Sequence, residues 1–281
     1  MSIKSEPIIL AIESSCDETA AAIMRGDQVL SNIVNTQKVH EQYGGVVPEL
    51  ASRAHMQQIL PVVDTALKTA GVAKCDIDAV SFSQSPGLIG ALLVGAGFAK
   101  SFAQALDKPI IAVQHVKAHV LAHFIDDPKP EFPFLCLTVS GGHTQLVICH
   151  SHLEHEIIGT TIDDAAGEAF DKVSKMIGLP YPGGPILDKL AQEGNPHAFE
   201  FPIPSMQGYN FSFSGIKTAV LYAMQKKVKE QPDFVQENIN DICASVQYTI
   251  VQTLLKKVIK AAKDYKIKHV GIAGGVSANS G

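Results

Sequence analysis

A chain of 281 residues has room for two domains of ordinary size, and 46% hydrophobic against 18% charged residues supplies packed cores and excludes an intrinsically disordered protein. A formal net charge of −5 excludes nucleic-acid binding driven by bulk electrostatics, so an RNA partner requires a local basic patch or a second subunit. The five cysteines (Cys16, Cys75, Cys136, Cys149, Cys243) are odd in number and form no C-x-x-C pair, which reads as reduced thiols in a cytoplasmic protein.

The first element, PIILAIESSCDETAAAI, is an apolar strand, a polar turn (Ser14, Ser15, Cys16, Asp17, Glu18) and a second apolar strand; its apolar run meets Glu13 too soon to be a secretory leader. QVLSNIV follows as a third strand, and apolar residues then recur at helical spacing from Pro48 to Ala70. AVSFSQSPG reads as a strand ending in a turn. LIGALLVGAGFA is a buried helix whose Gly90, Gly95 and Gly97 admit a close neighbour, and it falls short of the ~20 residues that cross a bilayer, so no membrane contact is expected. PIIAVQH is a strand entering the helix that carries His119. DDPKPEFP, with Pro128, Pro130 and Pro133, can neither continue a helix nor join a sheet, which predicts domains at 1–127 and 128–281.

After that boundary the pattern repeats. FLCLTVSGGHTQLVIC gives two apolar strands around Ser140, Gly141, Gly142 and His143, and HEIIGTTI a third. DDAAGEAFDKVSKMIG predicts a helix, LPYPGGP a long loop, residues 241–265 a long amphipathic helix, and KHVGIAGGVSAN a strand running into a Gly-Gly turn. Lys226, Lys227, Lys229, Lys256, Lys257, Lys260 and Lys263 read as solvated helix faces. Hairpins opening each half predict a duplicated α/β architecture with a cleft between the halves. Hairpin amides beside hydroxyls form an anion-binding nest, which points to a nucleotide-type ligand.

His115 and His119, in HVKAH, lie about 40° apart on one helical face, a spacing that suits two ligands of one metal ion or, equally, two partly buried histidines. His123 lies a further turn along the axis and is set aside, and no Asp or Glu is marked by spacing as a third ligand. The Ser140–Gly141–Gly142–His143 turn, Asp171 with Glu168 one turn before it, Asp188 after the PGGP segment and Asn279 after the last strand concentrate polar groups at strand ends and turns, where ribose and phosphate are commonly held.

IESSCDETAAAI, GGVVPELASRAH, SPGLIGALLVG, HVKAH, VSGGHTQL, DDAAGEAFDKVSKMIGLPYPGGP, FSFSGIKTAV and GGVSAN, in this order, resemble the bacterial TsaD family over essentially the whole chain. The resemblance implies the actin/Hsp70/sugar-kinase (ribonuclease H-like) fold and transfer of a threonylcarbamoyl group from threonylcarbamoyl-AMP to the adenosine next to the anticodon, in tRNAs reading codons that start with A. By the same resemblance His115 and His119 match two metal ligands, for iron(II) or zinc. Thr138, Val139, Ser140, Gly141 and Gly142 match a ligand-binding turn, with Thr138 where leucine is usual, and Asp171, Gly184, Asp188 and Asn279 match nucleotide contacts. It further implies a third ligand, an aspartate on a helix beyond Gly281, and hence poor metal binding and little activity for residues 1–281 alone. Implied partners are an inactive paralogue (TsaB-like), a small ATPase (TsaE-like) and a TsaC-like enzyme that supplies the adenylate. Glu13 and Asp17 are candidates for the general base. Two rival readings are a metallopeptidase, which lacks its H-E-x-x-H glutamate because Val116 and Lys117 follow His115, and an actin-like ATPase or small-molecule kinase, favoured by fold alone.

Overall fold

The computed structural model describes residues 6–281. The chain forms two compact units, Met1–Asp127 and Pro128–Gly281. In the first, β1 (Ile8–Glu13), β2 (Glu18–Arg25) and β3 (Gln28–Thr36) form an antiparallel meander; α1 (Pro48–Ala70), β4 (Ala79–Ser85), α2 (Ile89–Ala105), β5 (Ile110–Gln114) and α3 (His115–Leu121) follow. The sheet order is β3-β2-β1-β4-β5, with β4 parallel to β1 and β5 parallel to β4. In the second, β6 (Phe134–Val139), β7 (Thr144–Cys149) and β8 (His155–Thr160) repeat the meander. Then come α4 (Ala166–Met176), α5 (Gly183–Ala191), α6 (Ser214–Glu230), α7 (Phe234–Glu237), α8 (Ile239–Asp264) and β9 (Val270–Ala273). The order here is β8-β7-β6-β9, with β9 parallel to β6. Both sheets thus share one plan, two antiparallel pairings followed by a parallel crossover, as a duplicated ribonuclease H-like architecture requires.

Helix boundaries follow capping chemistry. Pro48 stands in the first turn of α1, where its missing N–H costs nothing, and Gly71 closes the helix in the left-handed conformation. α2 packs where its small residues allow: a side chain at Gly90 would meet Ser52 Oγ and one at Gly95 would meet Ser14 Oγ, whereas nothing approaches Gly97. The first unit's core joins Leu10, Ile12 and Ile23 of the sheet to Ile59, Val63 and Ala66 of α1. The second unit's core joins Leu135, Leu137, Leu146 and Ile148 to Phe170, Phe213, Ile216, Val246 and Ile250.

The predicted loop LPYPGGP stops at Pro182, and Gly183, Gly184 and Pro185 form the first turn of α5. Asp171 Oδ1 accepts the Gly183 and Gly184 amides at 2.9 and 3.1 Å, and a proline in a first turn has no intrahelical bond to lose. The predicted helix DDAAGEAFDKVSKMIG begins only at Ala166, because both aspartates are used elsewhere. Asp163 accepts the Phe213 amide and the Ser212 and Ser214 hydroxyls where α6 begins, and Asp164 accepts from Lys172 Nζ. The Gly-Gly turn is a short 3₁₀ helix, Gly275–Ala278. Of the lysines expected on solvated faces, Lys257 departs: its Nζ donates to the carbonyls of Met206 and Gly208 and pins that loop to α8. Among the described residues, no helix is long and apolar enough to cross a membrane.

Candidate functional site

Each unit carries a cavity at the carboxyl ends of its parallel strands, where strand-end loops and helix starts leave backbone groups free for ligands. In the first unit β1 ends at Glu13, β4 passes Ser83, and β5 runs directly into α3. That transition is abrupt because the Gln114 side chain accepts the Lys117 amide at 2.7 Å and caps the helix. His115 and His119 then stand on one face of α3, with ring centroids 4.5 Å apart, planes at 81° and Nε2 atoms 3.1 Å apart. Glu13, His115 and His119 line a cavity of about 280 Å³ with Ser83, Ser81, Asn32 and apolar residues of β1 and β2.

The donor set fits a metal ion. Two nitrogens bound at ~2.1 Å and tetrahedral or right angles lie about 3.0–3.4 Å apart, and the Nε2 pair falls in that interval. Among the described residues, no group of three or more His, Cys, Asp or Glu side chains gathers to complete such a site.

Glu13 accepts on both oxygens. Oε1 takes the Ser15 amide at 2.5 Å; Oε2 takes the Ser83 hydroxyl and stands 3.1 Å from His115 Nδ1. Burial pushes its pKa up, but the hydrogen bonds from His115, Ser15 and Ser83, together with the His115 charge, outweigh burial and hold it at about 2. Asp17, the other candidate for the general base, does not line this cavity; its carbonyl accepts the Gln37 amide.

In the second unit a cavity of about 300 Å³ is lined by Gly141, Asp171, Gly184, Asp188 and Asn279, together with Gly167, Phe170, Pro182, Pro185, Gly275, Val276 and Ala278. Five expected contact residues, scattered along the sequence from the β6–β7 turn to the segment after β9, therefore meet at one place. The other members of the expected turn do not line it. Thr138 and Val139 are the last residues of β6, 0% and 2% exposed; every residue of this strand is buried, so both of its faces are covered and neither side chain reaches the cavity. Ser140 Oγ accepts the His143 amide at 3.0 Å, and its N–H donates to the His143 carbonyl at 2.8 Å, so the hydroxyl closes the turn. Gly142 is exposed beside it. Asp188 accepts the Ser280 amide and hydroxyl, and Asn279 Nδ2 donates to Gln247 Oε1 at 2.9 Å.

Gly167 went unrecognised as a wall of this cavity because nothing in its spacing marks it; only close approach reveals its part. A Cβ on Gly167 would sit 2.7 Å from the Ser140 carbonyl oxygen and 2.8 Å from Gly141 Cα, both backbone atoms. Gly167→Ala should cost ~1–3 kcal/mol and displace the turn, which calorimetry would read as a lower Tm. Asp171→Ala should cost ~1–2 kcal/mol through the uncapped amides of α5, with Asp171→Asn losing less because its amide oxygen still accepts; urea denaturation of the two variants makes the comparison.

The solved (R)-2-hydroxyglutaryl-CoA dehydratase component A of Acidaminococcus fermentans superposes with a TM-score of 0.54 at 14% identity, covering 98% of this chain and 85% of that one. A dehydratase activator from Clostridium difficile with bound ADPNP gives 0.50 at 16% identity, covering 98% and 82%. At such identities the likeness concerns fold, and the fold is the duplicated actin/Hsp70/sugar-kinase one. In sequence, the tRNA N6-adenosine threonylcarbamoyltransferase of Christiangramia forsetii is 60% identical over 276 residues, 97% of this chain and 81% of that protein. The enzyme of the same name from Cytophaga hutchinsonii is 59% identical over 273 residues, covering 97% and 80%. The profile of the TsaD family, described as tRNA N6-adenosine threonylcarbamoyltransferase, matches residues 28–281. With most of its length matched by that profile and by relatives of such identity, the chain belongs to the TsaD family.

Proposed function

We propose that this chain transfers the threonylcarbamoyl group of threonylcarbamoyl-AMP to N6 of the adenosine next to the anticodon, in tRNAs reading codons that start with A, forming t6A. The observation that carries the reading is 60% identity, over 97% of the chain, to an enzyme named for this transfer. AMP is a good leaving group from a mixed carbamic–phosphoric anhydride, so the protein's work is positioning and charge stabilisation. The second unit's cavity suits the adenylate: the Asp188 and Asp171 carboxylates at its wall can accept from ribose hydroxyls, and the open space at Gly141 leaves room for a sugar-phosphate. His115 and His119 would hold the metal, iron(II) or zinc. Such an ion, when bound, polarises a carbonyl or phosphoryl oxygen.

The net charge of −5 gives the chain little general affinity for phosphate, which supports dependence on other proteins for tRNA capture. The family resemblance assigns that help to a TsaB-like paralogue and a TsaE-like ATPase, with a TsaC-like enzyme making the adenylate in the cytoplasm. The test supplies the purified protein, extended past Gly281 to include the third ligand implied by the resemblance, with unmodified tRNA and threonine-labelled threonylcarbamoyl-AMP, with and without the two partners. Label recovered as t6A nucleoside by mass spectrometry supports the transfer. Absence of label with partners present refutes it, and equal label without them refutes the dependence.

A further inference from the structure

Glu13 and His115 stand 102 positions apart, yet the sheet brings them to one edge, where the Ser15 amide and the Ser83 hydroxyl donate to the Glu13 carboxylate and His115 Nδ1 lies 3.1 Å from Oε2. A deprotonated carboxylate can only accept. The proton between Glu13 Oε2 and His115 therefore belongs to His115 Nδ1, and Ser15 Oγ, 3.4 Å from the same nitrogen, faces it from the other side. With Nδ1 protonated, a neutral imidazole carries its lone pair on Nε2, and Nε2 is the atom aimed at His119.

Resting on the metal reading of the imidazole pair, we propose that Glu13 is a positioning residue: it fixes His115 in the Nδ1–H tautomer and holds the ring so that its Nε2 lone pair points to the place where His119 Nε2 converges. The carboxylate does this from the end of β1 and is itself held from two other directions, by the backbone of Ser15 and by Ser83 of β4. An amide cannot substitute. Each oxygen of Glu13 already receives a donor, so the NH₂ of a glutamine at this position would confront either the Ser15 amide or the Ser83 and His115 donors. Partners that orient a metal-binding histidine through its far nitrogen commonly govern affinity tenfold to a hundredfold.

The experiment has two arms, both on the protein extended past Gly281 to include the third ligand that the family resemblance implies. In the first, cobalt(II) is titrated into wild type, Glu13→Gln and His115→Ala, followed by its absorption spectrum and by competition with a chelator, with the melting temperature of each metal-free protein as the measure of folding. Wild type should bind one equivalent and His115→Ala none. Glu13→Gln should bind about tenfold to a hundredfold more weakly with an altered spectrum, at a melting temperature that leaves it folded. Unchanged affinity and spectrum in folded Glu13→Gln overturn the proposal. In the second arm, wild type labelled with ¹⁵N-histidine and free of metal reports the His115 tautomer by NMR, the resonance being assigned by its loss in His115→Ala. Proton on Nδ1 supports the proposal; proton on Nε2 overturns it even if Glu13→Gln fails to fold. A wild type that binds no cobalt, iron or zinc overturns the metal reading instead, and the tautomer measurement still decides what Glu13 does to His115.

Discussion

In the protein extended past Gly281, His115→Ala or His119→Ala should leave the fold intact while stripping it of metal and cutting transfer to tRNA by more than about a hundredfold, since losing even an outer partner of a metal site commonly costs tens of fold. Each imidazole supplies one of two converging Nε2 atoms, and neither can serve alone as a pair. The fold should survive because the histidines occupy the open face of α3. His115 is 21% exposed in its side chain, whereas Val116 and Val120 on the opposite face are 5% and 1% exposed and carry the packing. Elemental analysis, circular-dichroism melts and the labelled transfer assay together make the test. Metal retained at wild-type stoichiometry in the double variant would show that the pair is not the binding site.

Phe213→Ala should be the most damaging single change to the second unit. Its ring is fully buried, stacks on Phe211 at 6.3 Å and 13°, and belongs to the core that joins the sheet to α6 and α8. Truncation should cost ~3–5 kcal/mol, because the surroundings cannot close over the void. The backbone there is tethered by the Phe213 amide to Asp163 Oδ1 at 2.8 Å, which prevents a compensating slide. For a domain of this size the loss corresponds to a Tm lowered by roughly 10 °C, readable by scanning calorimetry. Phe213→Leu, which keeps most of the volume, should lose less than about half as much.

What could be read from the residues was whatever is written locally. Alternating apolar residues and short polar turns identify both meanders, Pro48 and Gly71 bracket α1, and the i, i+4 spacing places His115 and His119 on one face. What could not be read depends on register between distant strands. Glu13, Ser83 and His115 converge only because β1, β4 and β5 lie parallel and end at the same edge. The start of α5 was hidden for a similar reason: a proline and two glycines spell a loop until Asp171, a dozen residues earlier, supplies the acceptor. That the side chains of Thr138 and Val139 are buried was equally hidden, because a motif match names a segment and not which of its side chains are covered.

The crossover that seats β9 beside β6 also has a consequence in time. Leu135 lies opposite Val270, more than a hundred positions later in the chain, whereas in the first sheet Ile9 finds Ala79 much sooner. A ribosome adds about 5–20 residues per second, so β6 waits on the order of ten seconds for its parallel neighbour. Throughout that interval the six residues of β6, all buried once the protein is complete, belong to a sheet whose parallel edge has no strand beside it. Unpaired apolar edges recruit whatever strand comes first. The first sheet can therefore close soon after its unit emerges, while the second must be shielded from aggregation until β9 has been made.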